Sequence, residues 1–399
     1  MNDKTRDFIE KNLDADVRRL ALKGCRDQDV DFELVLRQVA GIQKSRQKLP
    51  SWAASDGILY PQHLSLEQCS SEQTARYKAS VCQRLIAKPS TLIDLTGGFG
   101  VDVSFMSQAF DEAVYVEKQE ELFHIVEHNM RLLTKNIRCL LDDGVEVLHR
   151  IGHVSMIYMD PARRDDKGSR TYGIAECTPN VLELKEELLD KADVVMLKLS
   201  PMLDWQKAVE DLGSRMVSEV HIVSVQNECK ELLVVMSRET AAMRLFCVND
   251  DHVWEPFIDE GLSSASAFSS LSSDSAVPVT GDYLYEPNAS IMKAGCFKSL
   301  VSSFHVSQLE SNSHLFVSEK LIDEFPGRKF RIAAITTMNK RELRDALRDI
   351  RQANITVRNF PMSVADLRKR LKMGEGGSNY IFATTLAKGL RVLIICQRI

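Results

Sequence analysis

The sequence predicts an α/β protein: a doubly wound, mostly parallel sheet, preceded by helices and followed by small α+β modules. Three observations predict it. Between about residues 90 and 240, short apolar runs alternate with segments of helical spacing, and several runs are continuous, as strands buried on both faces require. One of them, Thr91–Leu95, ends beside Asp94 and leads into Gly97, Gly98 and Gly100 before a helical pattern starts, which reads as strand, tight turn and helix start. The tail from 326 to 399 repeats strand and helix in the order β-α-β-α-β-β, which suits a small sheet with helices on one face.

Residues 1 to about 85 read as helical. Val35, Val39 and Ile42 recur at helical spacing inside Asp31–Lys48, and Pro50 stops that helix. A further helix starts near Ser70, where Ser70 and Gln73 have capping-box spacing. The expected strands of the central sheet are Thr91–Leu95, Ala113–Glu117, Ile137–Leu141, Met156–Asp160, Val194–Leu199, Val220–Val225 and Leu232–Met236. Gln119–Leu133 and Val181–Leu189 are expected helices between them. Only Gln226–Glu231 separates the last two strands, too little for a helical crossover, so they should form an antiparallel edge hairpin. The Ser-rich stretch 260–275 reads as linker. In the tail, Phe330–Thr336 and Ile355–Asn359 are expected strands, Lys340–Ala353 and Ser363–Lys372 expected helices, and two strands follow a glycine turn at Gly374–Gly377.

Composition narrows the class. The chain has 399 residues, 44% hydrophobic and 27% charged, enough for two or three domains of ordinary globular character. No run approaches the ~18 apolar residues of a membrane span. The polar first residues fit neither signal peptide nor anchor. The nine cysteines are odd in number and form no C-x-x-C, so reduced thiols in a cytoplasmic protein are expected, with no metal site. Charge is uneven. Phe325–Ile399 holds 16 Lys/Arg against 5 Asp/Glu, a net +11 that leaves −16 on the rest of a chain whose total is −5. Such asymmetry points to a polyanion partner for the tail.

The glycine turn belongs to a nucleoside pocket, since glycines let the backbone approach a ligand and the helix N-terminus adds positive potential. A dinucleotide fingerprint would need a third glycine where Val103 stands. Instead Asp94, Thr96, Gly97, Gly98, Phe99 and Gly100 form D-x-T-G-G-x-G. Glu117 ends the second strand, and a carboxylate there can accept both ribose hydroxyls. The third strand ends at Asp142-Asp143, with the choice between them open. The fourth ends in Asp160-Pro161-Ala162-Arg163-Arg164. Any one of these acids could be an ordinary solvated strand end; at successive strand termini they form a binding row. In the tail, Lys340, Arg341, Arg344, Arg348 and Arg351 lie at spacings that give one basic helical face, and Arg368, Lys369 and Arg370 follow on the next helix. Such a face suits a nucleic-acid backbone. Lys78, with Arg76 and Tyr77, places further cations near the glycine turn.

These motifs resemble those of class I S-adenosylmethionine-dependent methyltransferases, whose Rossmann-like sheet carries D-x-G-x-G-x-G at the first strand, and of the nucleic-acid methyltransferases among them, which carry [DN]-P-P-[YFW] or D-P-P-R at the fourth. Here Thr96 and Ala162 replace a glycine and a proline. The whole chain resembles a bacterial family of such enzymes with a C-terminal THUMP-like domain, through Glu67–Glu72, Tyr77–Ala79, Asp94–Gly100, Asp160–Arg164, Tyr285–Asn288, Ile291–Gly295 and Phe325–Arg328. The resemblance implies a helical region at 1–85, a methyltransferase domain at 86–250, a linker at 251–279, a small ferredoxin-like segment at 280–325 and a basic THUMP-like domain at 326–399. It implies S-adenosyl-L-methionine as cofactor, with Asp94–Gly100, Glu117, an adenine-facing Asp142 or Asp143, and Asp160 around it. It implies RNA, tRNA or rRNA, as partner, held by Lys78, Arg163, Arg164 and the tail cations. Asp160 and Pro161, with Arg163 in place of the usual aromatic platform, would aim a base exocyclic amine at the methyl group. The alternatives are an RNA-binding protein that keeps the fold without catalysis, or a methyltransferase for small molecules or proteins. C5 methylation through a cysteine is disfavoured, because Ser200 stands where that nucleophile would be.

Overall fold

The computed structural model describes residues 1–87, 90–163, 173–238, 242–257 and 276–399. Its contacts divide into two compact units, Met1–Val220 with Glu231–Met243, and His221–Lys230 with Arg244–Ile399.

The chain opens with six helices: α1 (Asp3–Glu10), α2 (Val17–Lys23), α3 (Phe32–Lys48), α4 (Pro50–Ala53), α5 (His63–Gln68) and α6 (Glu72–Leu85). The Asp31 carboxylate caps α3 by accepting the Leu34 N–H at 3.0 Å, and Val35 and Val39 are fully buried on one face. Pro50 ends α3 and starts α4 at its first turn, where its missing N–H costs nothing. The α6 cap falls one residue later than its sequence suggests. Ser71 accepts the Thr74 N–H at 3.2 Å, whereas the Ser70 hydroxyl turns to Asp102.

The central sheet and its helices follow as β1 (Thr91–Asp94), α7 (Val101–Met106), β2 (Glu112–Glu117), α8 (Glu120–Leu133), β3 (Ile137–Leu141), α9 (Gly144–Arg150), β4 (Val154–Met159), β5 (Ala162–Arg163), β6 (Cys177–Thr178), α10 (Val181–Lys191), β7 (Ala192–Leu199), α11 (Trp205–Leu212), β8 (Val217–Val225), β9 (Glu228–Met236), β10 (Arg244–Asn249) and β11 (His252–Trp254). Among the described residues nine strands form one sheet in the order β11-β10-β8-β9-β7-β4-β1-β2-β3. From β7 to β3 the neighbours are parallel, and β9 runs antiparallel to β7. Gln226 and Asn227 have φ of 51° and 62°, the paired positive values of a tight hairpin turn. The hairpin is not at the edge as expected, because β10 and β11 lie beyond it. The linker expected from 251 likewise starts later, since His252–Trp254 is strand; the Ser-rich run lies outside the described residues. Leu92, Tyr115, Val116, Met156, Ile157 and Met196 are essentially inaccessible, which explains why these strands read as continuous apolar runs.

Beyond them come β12 (Tyr283–Pro287), α12 (Ala289–Ala294), α13 (Phe297–Phe304), β13 (Ser307–Gln308), β14 (Phe316–Ser318), β15 (Gly327–Thr337), α14 (Lys340–Ala346), β16 (Asn354–Arg358), α15 (Val364–Leu371), β17 (Asn379–Thr385) and β18 (Arg391–Arg398). Among the described residues the two expected modules share one seven-stranded sheet, ordered β13-β14-β12-β15-β18-β17-β16, because β12 pairs with both β14 and β15. Alternation along β17 and β18 sends Phe382 and Ile394 into one core with Leu284 and Phe330, and Ile381, Leu393 and Ile395 into another with Leu367. Helix α14 is shorter than expected. After Leu347 the chain leaves the helix so that Gln352 can bridge Gly374, with the Gly374 N–H donating to the Arg351 carbonyl at 2.9 Å. Arg348 and Arg351 therefore lie beyond the helix, and the four-arginine helical face does not form. Glu286, 3% exposed, binds Arg328 and Arg358, and Asn288 caps α12 by accepting the Ile291 N–H at 3.1 Å.

Gly144 fixes how α9 meets β1. A Cβ there would lie 1.9 Å from the Leu95 carbonyl oxygen. Backbone cannot yield as a side chain can, so Gly144→Ala should lower stability by about 2–3 kcal/mol, read as an earlier urea midpoint with an unchanged m-value.

Candidate active site

Parallel pairing sets the strand ends side by side. Asp94 is in register with Tyr115 of β2 and Tyr158 of β4, Glu117 with Leu141 of β3, and Met159 with Leu197 of β7. Across the sheet, the carboxyl ends therefore present Lys198, Asp160, Asp94, Glu117 and the Asp142–Asp143 pair in that order. Open α/β sheets bind ligands at this edge.

Asp94 is 1% exposed. Its carboxylate accepts the Thr96 N–H at 3.0 Å and lies 3.4 Å from the Thr96 hydroxyl. Burial pushes the Asp94 pKa well above the usual carboxylate range, against the opposing Thr96 hydrogen bond. The Thr96 hydroxyl oxygen accepts the Asp160 N–H at 2.6 Å. Thr96 thus joins the first and fourth strand ends through one side chain.

The glycine turn is held from within. Gly97 donates to the Val116 carbonyl at 2.9 Å and Gly100 to the Gly97 carbonyl at 2.9 Å, while Gly98 donates to Glu117 at 2.9 Å. A Cβ on Gly97 would meet the Tyr115 ring at 2.2 Å, so close packing, not ligand approach, demands glycine there. Phe99 is corrected from ligand contact to core. It is 3% exposed and packs edge-on against Trp52, centroids 5.0 Å apart. Val103 is fully buried.

Glu117 accepts backbone N–H groups from Gly98 and, at 2.7 Å, from Gln119, one on each oxygen, which leaves a second lone pair on each. Of the next two acids, Asp142 is committed to Arg150 and to the Asp143 N–H at 2.9 Å; the Arg150 contact holds its pKa below the usual range. Asp143 caps α9 by accepting the Val145 N–H at 2.9 Å, with its side chain 43% exposed and 3.6 Å from Lys118.

Behind the row lies a cluster of charges that sequence reading did not find. Lys78, fully buried, donates to Glu231 at 2.5 Å and stands 3.2 Å from Asp102. Asp102 also accepts from the Tyr158 hydroxyl at 2.7 Å and the Ser70 hydroxyl at 2.9 Å. Lys198 reaches Asp160 at 2.6 Å and Asp102 at 3.9 Å. Burial would raise the Asp102 pKa, but the two ammonium groups outweigh it and hold it below the usual range. Burial likewise opposes the Lys198 charge, and Asp160, Asp102 and Glu231 overcome it, raising its pKa. Lys78 is thereby corrected: its ammonium faces acids in the interior and offers nothing to RNA. No local pattern signals this cluster, whose members lie up to 153 residues apart.

The remaining expected contacts divide. Pro161 is buried, and the backbone of Ala162 and Arg163 forms β5, paired with β6; Arg164 lies outside the described residues. Lys340 and Arg341 are exposed on α14, and Lys369 and Arg370 on α15. Arg344 and Arg348 lie near Asp345, at 4.0 and 3.5 Å. Arg368 is half-buried and donates to the Ala353 and Gly374 carbonyls at 3.1 and 2.7 Å through one guanidinium nitrogen. Among the described residues no cluster of His, Cys, Asp and Glu could hold a metal ion, and no helix is long and apolar enough to cross a membrane.

Comparison with known proteins fits this architecture. Residues 327–398 match a family model described as THUMP domain-like, and residues 283–326 one described as a ferredoxin-like domain. The crystal structure of a candidate methyltransferase from Porphyromonas gingivalis W83 is 31% identical, covers 100% of this chain and 99% of its own, and superposes with a TM-score of 0.84. An rRNA methylase from Streptococcus thermophilus matches 40% of this chain and 93% of its own at 17% identity and a TM-score of 0.31. A candidate methyltransferase from Streptococcus mutans, solved in complex with SAH, matches 40% and 94% at 15% identity and a TM-score of 0.30. No functionally curated protein matches.

Removing the central ammonium tests the charge cluster. Lys78→Met leaves Asp102 and Glu231 without their shared counterion, a loss of about 3–5 kcal/mol measured by urea unfolding at pH 7.5. The unpaired acids then carry raised folded-state pKa values, so the deficit should shrink as pH falls and they become neutral.

Proposed function

We propose that this chain, which belongs to the methyltransferase family whose C-terminal part is ferredoxin-like and THUMP-like, is an S-adenosylmethionine-dependent methyltransferase acting on RNA, at a base exocyclic amine. One observation carries the reading: the hydrogen-bonded path from Asp94 through Thr96 to Asp160, which couples a cofactor acid to an acceptor acid across neighbouring parallel strands.

The residues fit the cofactor. When bound, S-adenosylmethionine supplies a methyl group activated by a sulfonium. Asp94, buried and biased toward its neutral form, suits a ligand that brings its own positive charge, the amino group of the methionyl end. Glu117 keeps lone pairs for the two ribose hydroxyls. Asp143 takes the adenine side in preference to Asp142, whose carboxylate is committed to Arg150. Asp160 and the backbone at Pro161 accept from the substrate amine and orient its lone pair; alignment of that kind contributes most of the rate when the electrophile is already activated. The intact Asp160-Pro161 favours catalysis over a fold kept only for binding. Lys369, Arg370, Lys340 and Arg341 supply the RNA affinity, which the net charge of the tail and its THUMP-like match both support.

Calorimetry with S-adenosylhomocysteine tests the cofactor half. Asp94→Ala should weaken binding about 10- to 100-fold. Because ligand binding expels the Asp94 proton, wild-type affinity should fall as pH is lowered through the raised pKa of that carboxyl. Absence of any wild-type affinity would end the reading. Filter binding tests the RNA half: Lys369→Ala with Arg370→Ala should reduce the slope of log affinity against log salt by about two.

A further inference from the structure

Lys198 is an odd neighbour for an acceptor site. A lysine that touched only solvent and RNA would be exposed, yet its side chain is 12% exposed and its ammonium lies 2.6 Å from Asp160. Its position follows from the fold. β7 lies parallel beside β4, and Lys198 is one residue past Leu197, the partner of Met159, so its side chain falls beside Asp160. Among the described residues, the charged and titratable groups around the pair are Lys78 on α6, Asp94 on β1, Asp102 on α7, Tyr158 on β4 and Glu231 on β9. Lys48 and Cys69 lie at the same end, the thiol pushed up to about 11 by burial. Such a thiol is no competitor as base or nucleophile near neutral pH.

Asp102 lies 3.9 Å from the Lys198 ammonium, so the same cation faces two carboxylates. Among the described residues, Lys198 is the cation in contact with Asp160, while Lys78 pairs with Asp102 and Glu231.

We propose that Lys198 is a positioning residue for the reaction, holding the Asp160 carboxylate in a fixed rotamer beside the substrate amine. The inference rests on the function proposed above. When an NH₂ group is methylated, the nitrogen lone pair forms the new N–C bond. The C–S electron pair stays with sulfur, and one N–H proton must leave. The Asp160 carboxylate, hydrogen-bonded to that amine, receives the proton and passes it to solvent. Lys198 acts through Asp160 and need not touch the RNA.

The test measures labelled-methyl transfer to total RNA from cells lacking the gene, as kcat and KM across pH 5.5–9, together with S-adenosylhomocysteine affinity. Lys198→Met should lower kcat at pH 7 about 10- to 100-fold, with cofactor affinity within about threefold. Lys198→Arg should restore most of the rate. In an Asp160→Asn background, Lys198→Met should have no further effect. If Lys198→Met does not give a cooperative melting transition, Lys198→Gln carries the same comparison. A rate not restored by Lys198→Arg, or an equal loss in the Asp160→Asn background, would assign Lys198 a purely structural role. A wild type that transfers no methyl to RNA would instead overturn the underlying reading.

Discussion

The Lys78 ammonium and the acids around it are the constraint on which the rest of the catalytic unit depends. An ion buried without a partner costs several kcal/mol, so α6, which carries Lys78, is held to the positions of Asp102 on α7 and Glu231 on β9. Asp102 in turn fixes the start of α7, directly after the glycine turn, and ties it to β4 through Tyr158. The helices before the sheet are therefore part of the site: they set the turn that would hold a cofactor. Trp52 and Tyr60 reinforce that link from the apolar side by packing on Phe99.

The two departures from the resembling motifs look different once the geometry is known. Thr96 replaces a glycine because its hydroxyl does what no glycine could, accepting the Asp160 N–H while standing beside Asp94. Shape at one strand end is thereby transmitted to the next. Ala162 begins a two-residue strand, paired with Thr178, and a proline there would remove a backbone donor. Lys198 fits the same logic, with a strand end supplying the counterion of its neighbour's acid.

Much of this was legible in the sequence. The central strands were readable because each is buried on both faces and so is almost wholly apolar, and the strand-end acids stood out against those runs. The hairpin was legible from its short connection. Its place in the sheet was not, because β10 and β11 are brief and carry no pattern that ties them to it. The α14 helix was overread since its periodicity continues past Ala346; a backbone bridge to Gly374, more than twenty residues on, overrides it. The charge cluster was illegible for a plainer reason. Lys78, Asp102, Lys198 and Glu231 meet only through the fold, and a lone lysine on a polar helix looks like a solvated one. Only burial distinguishes Lys78 from Arg76 two residues away.

The proposed activity is methyl transfer to RNA at the Asp160 site. The most direct measurement incubates the protein with S-adenosylmethionine labelled in the methyl group and an extract of cells lacking the gene, then separates RNA, protein and small molecules before counting. Label should appear in RNA, recovered by mass spectrometry in an amine-methylated nucleoside and abolished in Asp160→Ala. Label confined to protein or small molecules, or label in RNA that survives Asp160→Ala, would contradict it.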